Sequence, residues 1–561
     1  MVEMSGAKAL LESLKKEKAT VVFGIPGGAN LPIYDALVDS DIRHILCRHE
    51  QSAAHMADGF ARASGRAGVC FATSGPGTTN LVTGIANAYM DSSPIVAVTG
   101  QVATPFIGKD AFQETDTIGI TTPITKYNFQ PRKASEIPST IKKAFYIATT
   151  GRPGPVLVDI PKDVQSQIAN IDFPEKIEIR GYKPNGVPEM ESVKQSARLL
   201  SEAKKPFILA GGGVKVSNAY QSLQKLSEFL LAPVGTTFMG KGCFREDHPL
   251  SLGVVGMHGT PEANKIILET DVLFAVGVRF SDRTTGNIDE FCREAKIIHA
   301  DVDAAEIGKN RIADIPIVGD ADQTLQKLLE SLRKRMSKRK RSEWFETVRH
   351  VREELKDNSE TKETGLTPRP ILKTLRRLLP RNAIVTTEVG QNQMWAGLFF
   401  ESYLPRTFIS SGGLGTMGFG FPASLGAKVA KPDVPVVDIA GDGSFMMTEN
   451  SLGTSIVDKI PVTVIVLNNS VLGMPAQWQR FFYNRRYSAV ELKRIPDLVK
   501  LAQAYGAEGV RVGSTDEFER AVKTALNSEV TTVIDVPISP EEDVLPMVPP
   551  GNGLSSTVGV A

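Results

Sequence analysis

Two short stretches hold residue types that could do chemistry together. An apolar, β-branched run at 436–440 leads into Gly441-Asp442-Gly443-Ser444, and a second run at 462–467 ends in Asn468 and Asn469. Two such runs separated by a helix-length segment read as β-α-β with parallel, buried strands, their polar ends meeting at one edge of a sheet. In open α/β sheets that carboxyl edge binds ligands. Asp442 and Asn469 are hard oxygen donors suited to Mg²⁺, which often shares its shell with a phosphate. Gly441 and Gly443 allow close backbone approach, and a helix starting at Ser444 would aim N–H groups at an anion. An ordinary βα turn with a capping Asp would explain Gly-Asp-Gly by itself. Asn469, at the end of the next strand, favours a metal–diphosphate site.

Glu50 is a second candidate, because it follows an apolar strand and opens a helical segment. It reads equally as a helix cap or as a half-buried carboxylate exchanging a proton with a ligand nitrogen. Gly413-Leu414-Gly415-Thr416-Met417-Gly418 matches G-x-G-x-x-G, with Asp438 about 20 residues on, as in a nicotinamide fingerprint. Asn469 has no role in that fingerprint, which weighs against it. His44, Cys47, His49 and His55 are metal-ligand types, but on a strand Cys47 and His49 share a face from which His44 points away. No nucleophile elbow or Walker-type loop occurs.

Elements must position these groups, and the chain is long enough for several cores: 561 residues predict roughly three domains. The balance of Lys+Arg 64 against Asp+Glu 63 gives no electrostatic case for nucleic acid or a membrane surface. Four scattered cysteines fit a reducing compartment. The first residues lack a basic-then-apolar pattern, and no apolar run of about 18 residues occurs, so a cytoplasmic chain is expected. Strands followed by Gly-rich turns and helices recur throughout, predicting an α/β fold of three doubly wound parallel-sheet domains. Expected boundaries are 1–165, a polar linker at 166–188, a middle domain at 189–345, a linker at 346–366, a third domain at 367–536 and an irregular arm at 537–561. Gly75 before Pro94 and Gly441 before Pro461 sit in the same strand–turn–helix–strand plan, which predicts that the first and third domains are similar. In the middle domain, runs ending at Gly211-Gly212-Gly213, Gly277 and Asp301 suggest a dinucleotide-sized ligand. The basic run at 333–341 lies among charged helical residues and reads as a solvated segment between domains.

On these residues the chain resembles the thiamine-diphosphate-dependent enzymes: Gly441 to Asn469 is similar to their cofactor motif, and the His49-Glu50 strand end to their activating glutamate. More narrowly it resembles the acetohydroxyacid synthase (acetolactate synthase) large subunits, through residues 26–28, 47–50, 73–77, 99–102, 110–114, 151–162, 256–260, 277–283, 390–395, 411–418 and 473–478. The resemblance implies a pyrimidine-binding first domain, an FAD-binding middle domain and a diphosphate-binding third domain. Pyruvate would be decarboxylated on thiamine diphosphate and joined to a second pyruvate or to 2-ketobutyrate, giving 2-acetolactate or 2-aceto-2-hydroxybutyrate for branched-chain amino acids. It implies Mg²⁺ on Asp442, Asn469 and the backbone carbonyl of Val471. Thiamine diphosphate would lie against Pro26, Gly27, Thr73, Pro76, Asn80, Val389, Gly390, Gln391, Asn392, Gly415, Met417, Gly441, Gly443, Ser444 and Met474. By the same resemblance Glu50 bonds the aminopyrimidine and Met417 bends the cofactor, with Phe112, Gln113 and Lys162 in the catalytic site. Arg279 pairs the second substrate's carboxylate, and Trp478, Met257 and Met474 shape its pocket. Non-redox FAD would take Arg152, Gly211, Gly212, Gly213, His258, Gly277, Arg279, Asp301 and Asp320. A homodimer or homotetramer with sites at subunit interfaces is implied, with room for a small regulatory subunit. Three residues depart from the family pattern: Pro475 for an aliphatic residue, Asn392 for a histidine and Glu388 for an aspartate. Sibling activities on the same motif are a flavin-free catabolic acetolactate synthase and a flavin-dependent pyruvate oxidase; a non-catalytic paralogue is the alternative outside enzymes.

Overall fold

The computed structural model describes residues 2–184, 186–357 and 366–559. Its frame is three six-stranded sheets, parallel throughout. The first is built from Val21–Gly24, Arg43–Leu46, Gly68–Ala72, Ile95–Gln101, Tyr127–Phe129 and Val156–Pro161. The last is built from Ile384–Thr387, Phe408–Ile409, Val436–Gly441, Thr463–Asn468, Glu508–Arg511 and Thr532–Pro537. Numbered from one in chain order, the strands of both lie in the order 2-1-3-4-6-5. The likeness of the outer domains, expected from glycine spacing, is therefore a likeness of topology. The middle sheet (Pro206–Ala210, Val234–Thr236, Ser251–Val254, Val272–Val276, Lys296–Asp301, Ile315–Val318) has the order 3-2-1-4-5-6 of the dinucleotide-binding fold. Its central strands are buried along their whole length because helices cover both faces.

The outer sheets share one apolar core, which runs from Phe23, Ile45 and Cys70 through Phe421 and Phe445 to Val464. A helix pair, Glu50–Ser64 and Gly420–Ala430, carries it. The two backbones approach so closely that a Cβ on Gly59 would lie 2.1 Å from the Ala423 carbonyl oxygen, and one on Gly426 would lie 1.9 Å from that of Met56. Met56 opposes Gly426 while Gly59 opposes Ala423, so the helices run antiparallel. The Glu50 end therefore lies away from the Gly420 end, which follows Met417.

The connecting segments hold more structure than their composition predicts. Within 166–188, Ile168–Ile171 pairs antiparallel with Val2–Ser5. Helix Glu343–Asp357 enters the stretch read as a linker at 346–366 and packs Trp344, Val348 and Val351 on the middle domain; residues 358–365 of that stretch lie outside the described residues. In the basic run, Arg333 closes helix Ala321–Arg333, and Arg339 donates to the carbonyls of Leu200, Ser201 and Ala203, satisfying the end of helix Met190–Glu202. The arm after Pro537 crosses from the last sheet to the middle domain, burying Val544 in one core and Val548 and Leu554 in another. Among the described residues, no helix is long and apolar enough to cross a membrane.

Candidate active site

Strands Val436–Gly441 and Thr463–Asn468 pair with Gly441 opposite Leu467, so Asp442 and Asn469 emerge side by side at the carboxyl edge. The helix expected from Ser444 begins at Asp442 and lasts one turn, Asp442–Phe445, because a second helix, Ser451–Val457, takes up the connection. Asp442 is 1% exposed, and its buried Oδ2 has no partner. Burial lifts its carboxyl to about 6. Asn469 accepts from the Val471 N–H at Oδ1 (3.2 Å) and donates from Nδ2 to Gln391 Oε1 (3.0 Å). An orphaned carboxylate oxygen beside a carboxamide oxygen is a hard donor set that fits Mg²⁺. No cluster of three or more His, Cys, Asp or Glu able to hold a metal occurs among the described residues, including His44, Cys47, His49 and His55.

These groups line a cavity of about 720 Å³ that also takes in Val471, Gly441, Gly443, Ser444, Val389, Gly390, Gln391, Asn392, Gly415, Met417 and Met474. Glu388 ties its walls together. The carboxylate accepts from the Gly418 N–H (2.9 Å), the Phe421 N–H (2.8 Å) and the Ser444 hydroxyl (2.5 Å). It thus fixes the Met417 loop to the Gly-Asp-Gly-Ser turn. Burial raises the pKa of both Glu388 and Asp438, and the charge of Glu388 raises Asp438 further. Asn392 donates to the carbonyls of Glu388 and Ile439 (both 2.8 Å), joining two strand ends. The G-x-G-x-x-G loop follows Phe408–Ile409, an edge strand, whereas a nicotinamide fingerprint follows a central one. Its glycines serve the Met417 turn instead.

Trp478, on helix Gly473–Phe482, also lines the cavity, with its buried Nε1 unpartnered. The Arg283 guanidinium lies 5.9 Å from the centre of its ring, and Arg283 Nη1 reaches Met257 Sδ at 3.0 Å. The family resemblance implies Arg279 for the acceptor's carboxylate, and Arg279 lines the same cavity from the preceding turn. Arg283, four residues on in the same motif, is the one that stacks on Trp478; spacing does not say which of two arginines in one loop turns towards a tryptophan from another domain. Pro475 sits in the first helical turn, where a missing N–H costs nothing.

The cavity continues into the middle domain at the point where its strand order reverses. The Gly211–Gly213 turn abuts Gly277: a Cβ on Gly211 would lie 2.0 Å from the Gly277 carbonyl oxygen, and one on Gly213 would lie 2.6 Å from its Cα. Two of the three glycines are thus required by packing, while Gly212 lines the cavity. Arg152 enters from the first domain and pairs Glu306 (2.6 Å) and Asp303 (3.2 Å). Arg279, Asp301, Asp320 and His258 line the same crevice. Burial lifts Asp301 to about 6 and lowers His258 to about 4. Asp320 also caps helix Ala321–Arg333. The crevice is rimmed by carboxylates, and Glu306 Oε2 and His258 Nδ1 lack partners. The carboxylates suit a dinucleotide's ribose hydroxyls, and the glycine turn at the start of a helix suits its phosphates.

Glu50 belongs to a second, separate cluster. His49, not Glu50, caps the helix, accepting from the Gln51 N–H at Nδ1. Glu50 is 9% exposed, and its Oε2 accepts from Asn80 Nδ2 at 2.9 Å. Thr73 bonds the Ala29 N–H and packs against Gly27, and helix Pro76–Met90 starts beside them. Gly75 carries φ +56° and faces the Gln113 backbone, Phe112 is 89% exposed, and Lys162 is exposed. None of Pro26, Gly27, Glu50, Thr73, Pro76, Asn80, Phe112, Gln113 or Lys162 lines the cavity that holds Asp442.

Family models place an N-terminal thiamine pyrophosphate binding domain at residues 4–120, a thiamine pyrophosphate enzyme central domain at 193–328 and a C-terminal thiamine pyrophosphate binding domain at 388–536. The chain is 53% identical to a probable acetolactate synthase large subunit of Methanocaldococcus jannaschii, over 99% of the chain and 95% of that protein. It is 45% identical to the acetolactate synthase large subunit of Corynebacterium glutamicum, over 98% and 90%, and 44% identical to that of Buchnera aphidicola, over 98% of each. The chain belongs to the acetolactate synthase large-subunit family. The two thiamine pyrophosphate binding models fall on the two like sheets, covering the first four strands of one and all but the first of the other, and the central model spans the sheet of different order. Glu50 lies in the first matched domain, and Asp442 and Asn469 in the last.

Proposed function

We propose that this chain is the catalytic subunit of an acetohydroxyacid synthase that joins the two-carbon unit of pyruvate to a second pyruvate or to 2-ketobutyrate, in the cytoplasm. The observation that carries this reading is the continuity of one cavity from the orphaned Asp442 carboxylate to the Arg283–Trp478 pair. Thiamine diphosphate supplies the electron sink for decarboxylation when bound. Asp442, Asn469 and the Val471 carbonyl would hold Mg²⁺ against its diphosphate, with Gly441, Gly443 and Ser444 alongside. Met417, fixed through Gly418 and Glu388, supplies the apolar wedge. FAD would occupy the middle-domain crevice between Arg152, Gly212, His258, Asp301 and Asp320.

Glu50 is the proton-handling group. Asn80 holds its Oε2, leaving Oε1 to exchange a proton with a ligand nitrogen. It meets the Asp442 cavity of a second copy, since its own lies past the other end of the helix pair. The site is thus completed in a homodimer or a larger homo-oligomer, and the large-subunit names of the relatives support a small regulatory partner. Arg283 pairs the acceptor's carboxylate and Trp478 takes its methyl or ethyl group, with Arg279 left to the FAD side; one methylene in such a pocket is worth about 1–3 kcal/mol.

A competition assay tests the reading: pyruvate plus 2-ketobutyrate with thiamine diphosphate and Mg²⁺, with and without FAD. The expected products are both acetohydroxyacids, with FAD required and not turned over. Flavin turnover with acetate formation would point to an oxidase, and no condensation product would leave a non-catalytic paralogue.

A further inference from the structure

Gln391 and Gln477 are buried, and each side chain is fully engaged. Gln477 Oε1 accepts from the Val544 N–H (2.9 Å) and from Gln391 Nε2 (2.9 Å), while its Nε2 donates to the Val544 carbonyl (3.2 Å) and to Met547 Sδ (3.3 Å). Gln391 Nε2 also donates to the Glu542 carbonyl (2.8 Å), and Gln391 Oε1 accepts from Asn469 Nδ2 (3.0 Å). Asn469 Oδ1 then accepts from the Val471 N–H.

Backbone groups fix the direction of every amide in this chain. The Glu542 carbonyl can only accept, so Gln391 must turn its nitrogen towards it and its oxygen towards Asn469. Asn469 must then present nitrogen to Gln391 and keep its oxygen on the cavity side. An asparagine ligates a hard cation through oxygen and never through its amide nitrogen. Reversing Asn469 would set a donor where the cation needs an acceptor.

We propose that Gln477 and Gln391 form a serial amide relay that orients the oxygen of Asn469 towards the divalent cation, anchoring the cation site to residues 542–547 of the C-terminal arm. Gln477 is a positioning residue, reaching the cation only through Gln391 and Asn469. The relay rests on the reading of Asp442 and Asn469 as cation ligands. Outer partners that orient a ligand typically carry 10–100-fold of its metal affinity.

The test is the Kd of Mn²⁺, followed by electron paramagnetic resonance on full-length protein saturated with thiamine diphosphate. The proteins compared are the unmodified chain, Gln477→Met, Gln391→Met and the double variant. Each single variant is expected to weaken Mn²⁺ about tenfold, and the double variant no more than Gln391→Met, because links in series do not add. Unchanged affinity in Gln477→Met, or losses that multiply in the double variant, would overturn the relay. Gln477→Leu serves if the Met variant does not fold: it too removes the acceptor facing Gln391 and should weaken Mn²⁺ about tenfold, and unchanged affinity there would count against the relay. If the unmodified chain takes up no Mn²⁺ while binding thiamine diphosphate, the cation site itself is wrong.

Discussion

In the cofactor-free chain Asp442 is a carboxylate placed where burial favours its protonated form. Its folded value, about 6, lies above the unfolded 3.8, so the native state binds the extra proton between those limits. Stability contributed by this group is present below about pH 4 and is lost as pH rises through 6, at a cost of roughly 3 kcal/mol. Asp442→Asn should therefore raise the melting temperature of the cofactor-free protein above pH 6 while abolishing Mn²⁺ uptake; an equal or lower melting temperature would contradict the account. Cation binding to the unmodified chain should weaken as pH falls below about 6, since metal and proton compete for the same oxygen. At the acceptor end, Trp478→Leu should shift products towards 2-acetolactate by about tenfold, the worth of roughly one methylene contact. An unchanged ratio in a two-acceptor assay would remove Trp478 from the pocket. Asp442 and Asn469 stand out in the sequence as candidates because strand ends and residue types announce them, whereas Trp478 enters only through the family resemblance. Arg283 does not stand out, because its distinguishing feature is a stacking contact with another domain.

At the scale of elements, the strand–turn–helix plan was readable throughout, and the matching Gly–Pro spacings foretold two like sheets. The antiparallel helix pair joining them was not. Gly59 and Gly426 look in sequence like weak points in helices, whereas in space each admits a neighbouring backbone at a distance no side chain allows. Gly426→Ala should consequently destabilise the chain by about 1–3 kcal/mol or more, seen as a lowered urea midpoint, although alanine is the better helix former. A stabilised protein would show that the helices part freely. The arm after Pro537 is irregular, as its Pro, Gly and acid-rich composition signals; what composition does not show is its packing. Its order comes from carbonyls and N–H groups bonded by Gln477, Gln391 and Met257, contacts with no local signature.

For the whole molecule, the consequential fact is that one chain holds the Glu50 cluster and the Asp442 cavity apart. The Glu50–Asn80–Thr73 cluster sits at one end of the shared helix pair, and the Asp442–Asn469 cavity beyond the other. No pattern in the sequence could state that separation, because it depends on the direction in which two helices cross. In the proposed function a Glu50 meets an Asp442 only across two symmetry-related copies, and complementation between two inactive variants measures this. Glu50→Gln and Asp442→Asn are each expected to abolish acetohydroxyacid formation when assayed as pure proteins. When the two variants are co-expressed in equal amounts, each mixed dimer should contain one intact site, and activity should return to about a quarter of the unmodified level. If the mixture stays as inactive as its components, while sequential purification through a different affinity tag on each variant shows that mixed dimers have formed, then Glu50 serves its own chain and a shared site is wrong.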